Sequence, residues 1–403
     1  MKRLLSLLLA TIMLLSLFAG CGPKDETNDN PDDKQLEENK EPVEKIFRYS
    51  DTSTNKNISP MENNTGICDY VQAKLYNYYP EDVEGSETSL TMIRPELAAS
   101  EPTTTDGYTW IIELKDDLKW ANGEPINADT FMYSWKMALD PKLLYASGSN
   151  LAKNVIEIEN AYAYYNQAAT GTEVKWEDVG LKKINDLALE VKTTQKYTAK
   201  HVMQHFQMRY TSVVYEPLFE AGMNADRTST DYGTTAEKFM SCGPFILTSW
   251  TSGAERVFEK NPNYVFADEI KLDGMYVRVV ADESTQLELF EKGEIDFITL
   301  GASGLEKYGE DPRVIKYVAN SVRGIEINFT HPTKTYLDNL NFRKALYYAI
   351  DRETIAKLTD KEPAPYFLSP NYSLSSDGTP LHDLPEAEGI IPENNGYDPD
   401  LAK

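Results

Sequence analysis

From Tyr108 onward, apolar and polar positions alternate. Tyr108, Trp110, Ile112 and Leu114 fall on one side and Thr109, Ile111, Glu113 and Lys115 on the other, the period of a β-strand with a mostly apolar inner face. Asn122-Gly123 then turns the chain, because both residues tolerate positive φ at little cost. Beyond the turn the period becomes helical. Phe131, Trp135, Ala138 and Leu139 share a face, Asn127 stands at the N-cap, Asp129 lies in the first turn where the dipole favours an anion, and Asp140-Pro141 stops the run. Elsewhere the pattern predicts a short strand at Ile46, Phe47, Arg48 and Tyr49, a loop over 57–66, helix-like spacing over 67–79 and a helix continuing over 151–165. A strand follows at 187–191, and Phe245, Leu247 and Ser249 share a strand face with 255–259 as hairpin partner. A strand over 274–280 leads to a helix over 283–295 stopped by Gly293, and Phe342, Leu346 and Ala349 make the apolar stripe of a later helix with Arg343 and Asp351 near its ends.

The N-terminal stretch has a different grammar. Met1-Lys2-Arg3 is basic, 4–18 is apolar without charge, and Phe18-Ala19-Gly20-Cys21 closes the run with small residues before a cysteine, the layout of a signal peptide. The apolar run falls short of the ~20 residues a spanning helix needs. It resembles the bacterial lipoprotein signal, with Phe18 where Leu is usual, which implies that Cys21 takes a diacylglycerol and becomes the mature N-terminus. Residues 22–45 are acidic, contain proline and hold almost no apolar side chain, so they read as a disordered tether.

Composition narrows the function. A chain of 403 residues exceeds what one core usually supports, so two or more lobes are expected. A formal charge of −24 argues against a nucleic-acid partner and suits solubility outside a cell. Of three cysteines, Cys68 and Cys242 read as unlinked buried thiols, with a disulfide between them as the alternative. His201 and His205 share the i, i+4 spacing of a zinc pair, yet Val202 stands where a catalytic Glu would, no third ligand is near, and helix packing is the preferred reading. No Gly-x-Ser-x-Gly elbow occurs, and His201, His205, His331 and His382 lack triad surroundings, which disfavours an extracellular hydrolase.

Specific motifs say more than the pattern does. The first block holds Lys115-Asp116-Asp117-x-Lys119-Trp120, Asn122-Gly123-x-Pro125, Ala128-Asp129-x-Phe131-x-Tyr133-Ser134-Trp135-Lys136 and Asp140-Pro141. The second runs over 239–265, with Gly243-Pro244-Phe245 and Lys260-Asn261-Pro262-x-Tyr264. Gly293-Glu294-Ile295-Asp296 is a further short motif, and the third block comprises Ile325-Glu326-Ile327-Asn328 and 340–352. Together they resemble the extracellular solute-binding proteins of peptide ABC transporters, the oligopeptide- and dipeptide-binding family 5. Ala188 stands where this family has Thr, and Cys242 where it has Asn, Thr or Gly.

That resemblance implies an α/β, two-lobed periplasmic-binding-protein fold of type II with an inserted domain. Its expected parts are a signal over 1–21, a tether over 22–45, lobe I over 46–74 and 184–275, the inserted domain over 75–183 and lobe II over 276–403. Tyr397-Asp398-Pro399-x-x-Ala402-Lys403 resembles a helix start that continues in the family, so lobe II is expected to be incomplete, together with the acidic residue that meets a peptide amino group. Ligand contacts are implied at Asn64, Thr65 and Gly66, placed by Pro60, at Tyr145 of Tyr145-Ala146-Ser147, and at Cys242, Gly243 and Phe245 beside the cleft. No catalytic residue, metal or cofactor is implied. The expected partners are a di- or oligopeptide, an ABC permease with its ATPase, and the membrane through the lipid anchor, with the chain a monomer on the extracellular or periplasmic face. Another solute on the same scaffold (a nickel complex, haem or a sugar) and a non-functional truncated copy are the alternatives.

Overall fold

The computed structural model describes residues 44–52, 56–62, 67–81, 90–316, 321–359, 361–364, 379, 384–387 and 393–403. The signal, Cys21 and the tether up to residue 43 lie outside the described residues, as do Asn64, Thr65 and Gly66.

Three sheets carry the strands. The first has the order β1 (Ile46–Asp51), β10 (Gly274–Val279), β9 (Glu255–Lys260), β8 (Phe245–Thr251). β1 runs parallel to β10 and the other pairs are antiparallel, so residues more than 200 apart in sequence meet at its parallel edge. The second is a two-stranded ribbon of β2 (Tyr76–Glu81) and β3 (Leu90–Pro95). The third has the order β4 (Thr103–Thr104), β5 (Thr109–Glu113), β7 (Ala188–Lys192), β6 (Leu181–Asn185), all antiparallel.

The strand, turn and helix of 108–142 form as their pattern dictates. Trp110, Ile112 and Leu114 are buried while Tyr108 stays exposed, and Gly123 turns the chain at φ +87°. Helix Ala128–Ala138 follows, and the Asn127 side chain accepts from the backbone N–H groups of Asp129 and Thr130 in a capping box. Trp135 at its centre is fully buried, its indole N–H donating to the Thr211 carbonyl at 3.0 Å. Asp296, of the Gly-Glu-Ile-Asp motif, has an architectural role: the Arg48 backbone N–H and guanidinium donate to it at 2.6–3.1 Å, tying the 293–296 turn to β1.

Four expectations change. The helix over 67–79 stops at Val71, and Tyr76 begins β2. The helix over 151–165 is two, Ala146–Lys153 and Ala161–Tyr165, because Ile158 bridges to Thr193 and Asn160 takes left-handed φ 58°. The face shared by Phe245, Leu247 and Ser249 breaks at a β-bulge between Leu247 and Ser249, which leaves Ser249 exposed. Helix Leu340–Ala349 forms, but its stripe is not buried: Phe342 is 39% exposed. The contiguous core runs from Ile58 to Val277. After Val279, Ile295 and Ala356 are the buried apolar residues among those described.

Candidate functional site

Short helix Ile67–Val71 presents Asp69, and the extended segment after it, 72–75, carries Lys74. The segment is held extended from two sides. Cys242 and Gly243 both donate their backbone N–H to the Val71 carbonyl at 3.0 Å, and the Ala73 N–H points at the Cys242 sulfur at 3.4 Å. A Cβ on Gly243 would lie 2.5 Å from the Gln72 nitrogen, so only glycine allows this approach. From the other side, fully buried Glu96 accepts from the Lys74 N–H at 2.7 Å, the Tyr264 hydroxyl at 2.7 Å, the Tyr79 hydroxyl at 3.2 Å and the Asn77 amide at 3.3 Å. Burial pushes the Glu96 carboxyl above its ordinary pKa, against the pull of those hydrogen bonds and of Lys74.

The clamped segment aims its charges into a cavity of about 560 Å3. Arg209, in the turn after helix Ala199–Phe206, forks onto Asp69, with Nε at 3.1 Å from both oxygens and Nη2 at 2.7 Å from Oδ2. Lys74, with a side chain only 7% exposed, reaches Asp69 Oδ1 at 3.3 Å. Burial of Asp69 works against its charge, but the Arg209 hydrogen bond and the two cations hold its pKa below the ordinary range. Asn150 of helix Ala146–Lys153 and Gln207 also line the cavity, and neither side-chain amide has a hydrogen-bond partner among the described residues. Tyr210 accepts from Asn154 at 3.0 Å, which leaves its own hydroxyl proton to donate. The arrangement suits a polar, hydrogen-bonding solute, and it offers no nucleophile paired with a base. A second depression, about 470 Å3, is lined by Glu159, Glu173, Glu177 and Asp178 with Lys182. Among the described residues no group of three or more His, Cys, Asp or Glu is placed to hold a metal.

Four of the residues expected to contact ligand are among those described, and they do not line this cavity. Tyr145, Cys242, Gly243 and Phe245 are all buried and none lines the cavity. Tyr145 and Phe245 belong to the core, and Cys242 and Gly243 back the segment that carries Lys74. Cys68 and Cys242 are free thiols, each pushed up to about 12 by burial. His205 is buried with its Nε2 on the Leu151 carbonyl at 3.0 Å, and burial lowers its pKa to about 3, so it packs as a neutral ring. His201 closes the capping box of its helix with Thr198. Sequence reasoning did not single out Asp69, Lys74, Asn150, Gln207, Arg209 and Tyr210, which line this cavity. Asp69 and Arg209 are 140 residues apart, and no motif joins them.

Comparison with known proteins decides the family. The model of the bacterial extracellular solute-binding proteins, family 5 Middle, matches residues 92–403. The chain belongs to this family. It is 28% identical over 272 residues to the oligopeptide-binding protein OppA of Bacillus subtilis, covering 67% of this chain and 47% of that protein. It is 28% identical over 380 residues to the dipeptide-binding protein of Lactococcus lactis, covering 88% and 64%. The chain thus spans about half to two thirds of these relatives' length. The solved structure of Listeria monocytogenes OppA bound to peptide matches with a TM-score of 0.66 at 23% identity, covering 83% of this chain and 63% of that one. This family 5 chain therefore has the α/β fold of the two-lobed solute-binding proteins over the part it covers, and its family is one of binding proteins, not enzymes. Among the described residues no helix is long and apolar enough to cross a membrane.

Proposed function

We propose that this chain is the lipid-anchored substrate-binding subunit of an ABC importer, capturing di- and oligopeptides outside the membrane and delivering them to a permease and its ATPase. The observation that carries the reading is the family match over 92–403, whose relatives include oligopeptide- and dipeptide-binding proteins. The cavity at Lys74, Asp69 and Arg209 supports it, since its walls mix amides, a hydroxyl donor and charge of both signs, as a zwitterionic solute needs. Asn64, Thr65 and Gly66 lie in sequence between Pro60 and Asp69, two residues that line the cavity, and they supply backbone contacts to the peptide in this reading. Tyr145, Cys242, Gly243 and Phe245 support the walls from the core. The expected division into lobe I, an inserted domain over 75–183 and lobe II is retained, with hinge closure of the lobes over solute as the motion that signals loading. Cys21 carries the diacylglycerol, two acyl chains being enough for firm anchoring, and the chain acts as a monomer.

Isothermal titration of the purified chain with a mixed di- to pentapeptide series tests the reading. Saturable binding accompanied by a rise in melting temperature is expected. Absence of binding by every peptide, or saturable binding of haem or a nickel complex alone, overturns it. Substitution Cys21→Ala is expected to move the chain from the membrane fraction to the soluble one. Unchanged membrane association sinks the anchor.

A further inference from the structure

In a chain with 64 acidic and 40 basic residues, the cavity beside helix Ile67–Val71 inverts the local sign. Two cations, Lys74 and Arg209, share one carboxylate, Asp69, and the remaining named wall residues are neutral. Lys74 is mostly withdrawn from water, so its charge is poorly screened and acts strongly on whatever enters. Donors accompany the charge: the amides of Asn150 and Gln207 make no hydrogen bond among the described residues, and the Tyr210 hydroxyl proton is unspent. Glu96 is fully buried, holds the Lys74 backbone N–H and is not among the residues that line the cavity. We propose that this cavity is a carboxylate subsite, in which Lys74 and Arg209 supply the countercharge and Gln207, Asn150 and Tyr210 the hydrogen bonds to an acidic side chain or C-terminal carboxylate of the captured peptide. A carboxylate entering here brings the cluster of Lys74, Arg209 and Asp69 to neutrality, whereas a peptide lysine adds to a positive excess.

The inference rests on the peptide reading, and the test separates the two. Tetra-alanine peptides with Glu, Gln or Lys at each position in turn, each as free acid and as C-terminal amide, are titrated into the purified chain. At one position Glu is expected to bind about tenfold tighter than Gln, or the free acid about tenfold tighter than the amide, as a charge-assisted contact implies. The arm that shows the preference identifies the source of the carboxylate. Lys74→Met is expected to erase the preference, so that Glu and Gln peptides bind alike, and Tyr210→Phe to reduce it about threefold. Tyr210→Phe alone decides if Lys74→Met does not fold. Equal binding by all arms, preference for Lys, or a Glu preference untouched by the variants overturns the subsite and leaves peptide binding standing. Absence of binding by every peptide overturns both.

Discussion

Helix Ala128–Ala138 and helix Leu340–Ala349 begin alike and end in different environments. Each is capped by an asparagine whose side chain accepts two backbone N–H groups, Asn127 from Asp129 and Thr130 and Asn339 from Asn341 and Phe342. Each carries an aromatic-aliphatic stripe at helical spacing. The first buries Phe131 and Trp135 completely, with Trp135 against Thr211 and Phe206, while the second buries none of its residues. The same contrast holds around them, for Ile325, Phe329, Leu358 and Leu401 are all more than half exposed. Local sequence is sufficient to start and cap a helix. Whether its stripe becomes core depends on surfaces brought from elsewhere in the chain.

The largest effect expected from that contrast is on stability. Trp135→Ala is expected to cost about 3–5 kcal/mol in urea unfolding, because a large fully buried side chain leaves a cavity. Phe342→Ala is expected to cost about 0.5 kcal/mol. Equal losses break the comparison. Next comes Gly243→Ala, expected to cost about 1–3 kcal/mol, because the new Cβ meets the Gln72 and Val71 backbone. It also displaces the segment that carries Lys74, so peptide affinity falls with it. Loss of either cap is smaller: Asn127→Ala and Asn339→Ala each cost their helix about 1 kcal/mol. The first is expected to lower the global unfolding midpoint, the second only to speed amide exchange over 340–349.

The smallest effect concerns pH. The Arg227 hydrogen bond, helped by one from Tyr133, holds the Glu220 carboxyl at about 2 against its partial burial, down from the ordinary 4.5. Its contribution is therefore present above pH 4.5 and lost as pH falls toward 2. Solvent screening keeps it within about 1 kcal/mol. Arg227→Gln is expected to flatten that part of the acid unfolding curve without changing stability at 340–349.

What was legible in the sequence follows the same division. Strand β5, the Asn122-Gly123 turn and the capped helix after it were readable because each depends on neighbours within a few residues. So was the hairpin of β8 and β9, though not its bulge. The break at 154–160 was hidden, since Ile158 leaves the helical pattern for a bridge to Thr193 and nothing local announces it. The family motifs marked architecture: Asp296 fastens to Arg48, and Tyr264 to Glu96. The cavity was illegible for a related reason. Asp69 and Lys74, Asn150, and Arg209 come from three separate segments, and Cys242, Gly243 and Glu96 fix the stretch between Val71 and Tyr76 that carries Lys74.

Amide hydrogen exchange with and without a saturating peptide tests the central claim most directly, because it reports on both regions at once. The account predicts slowed exchange over 67–78 and 207–211, flanking the cavity, with 340–349 unchanged. Protection confined to 301–403, or none near Lys74 and Arg209 while peptide is bound, would contradict it.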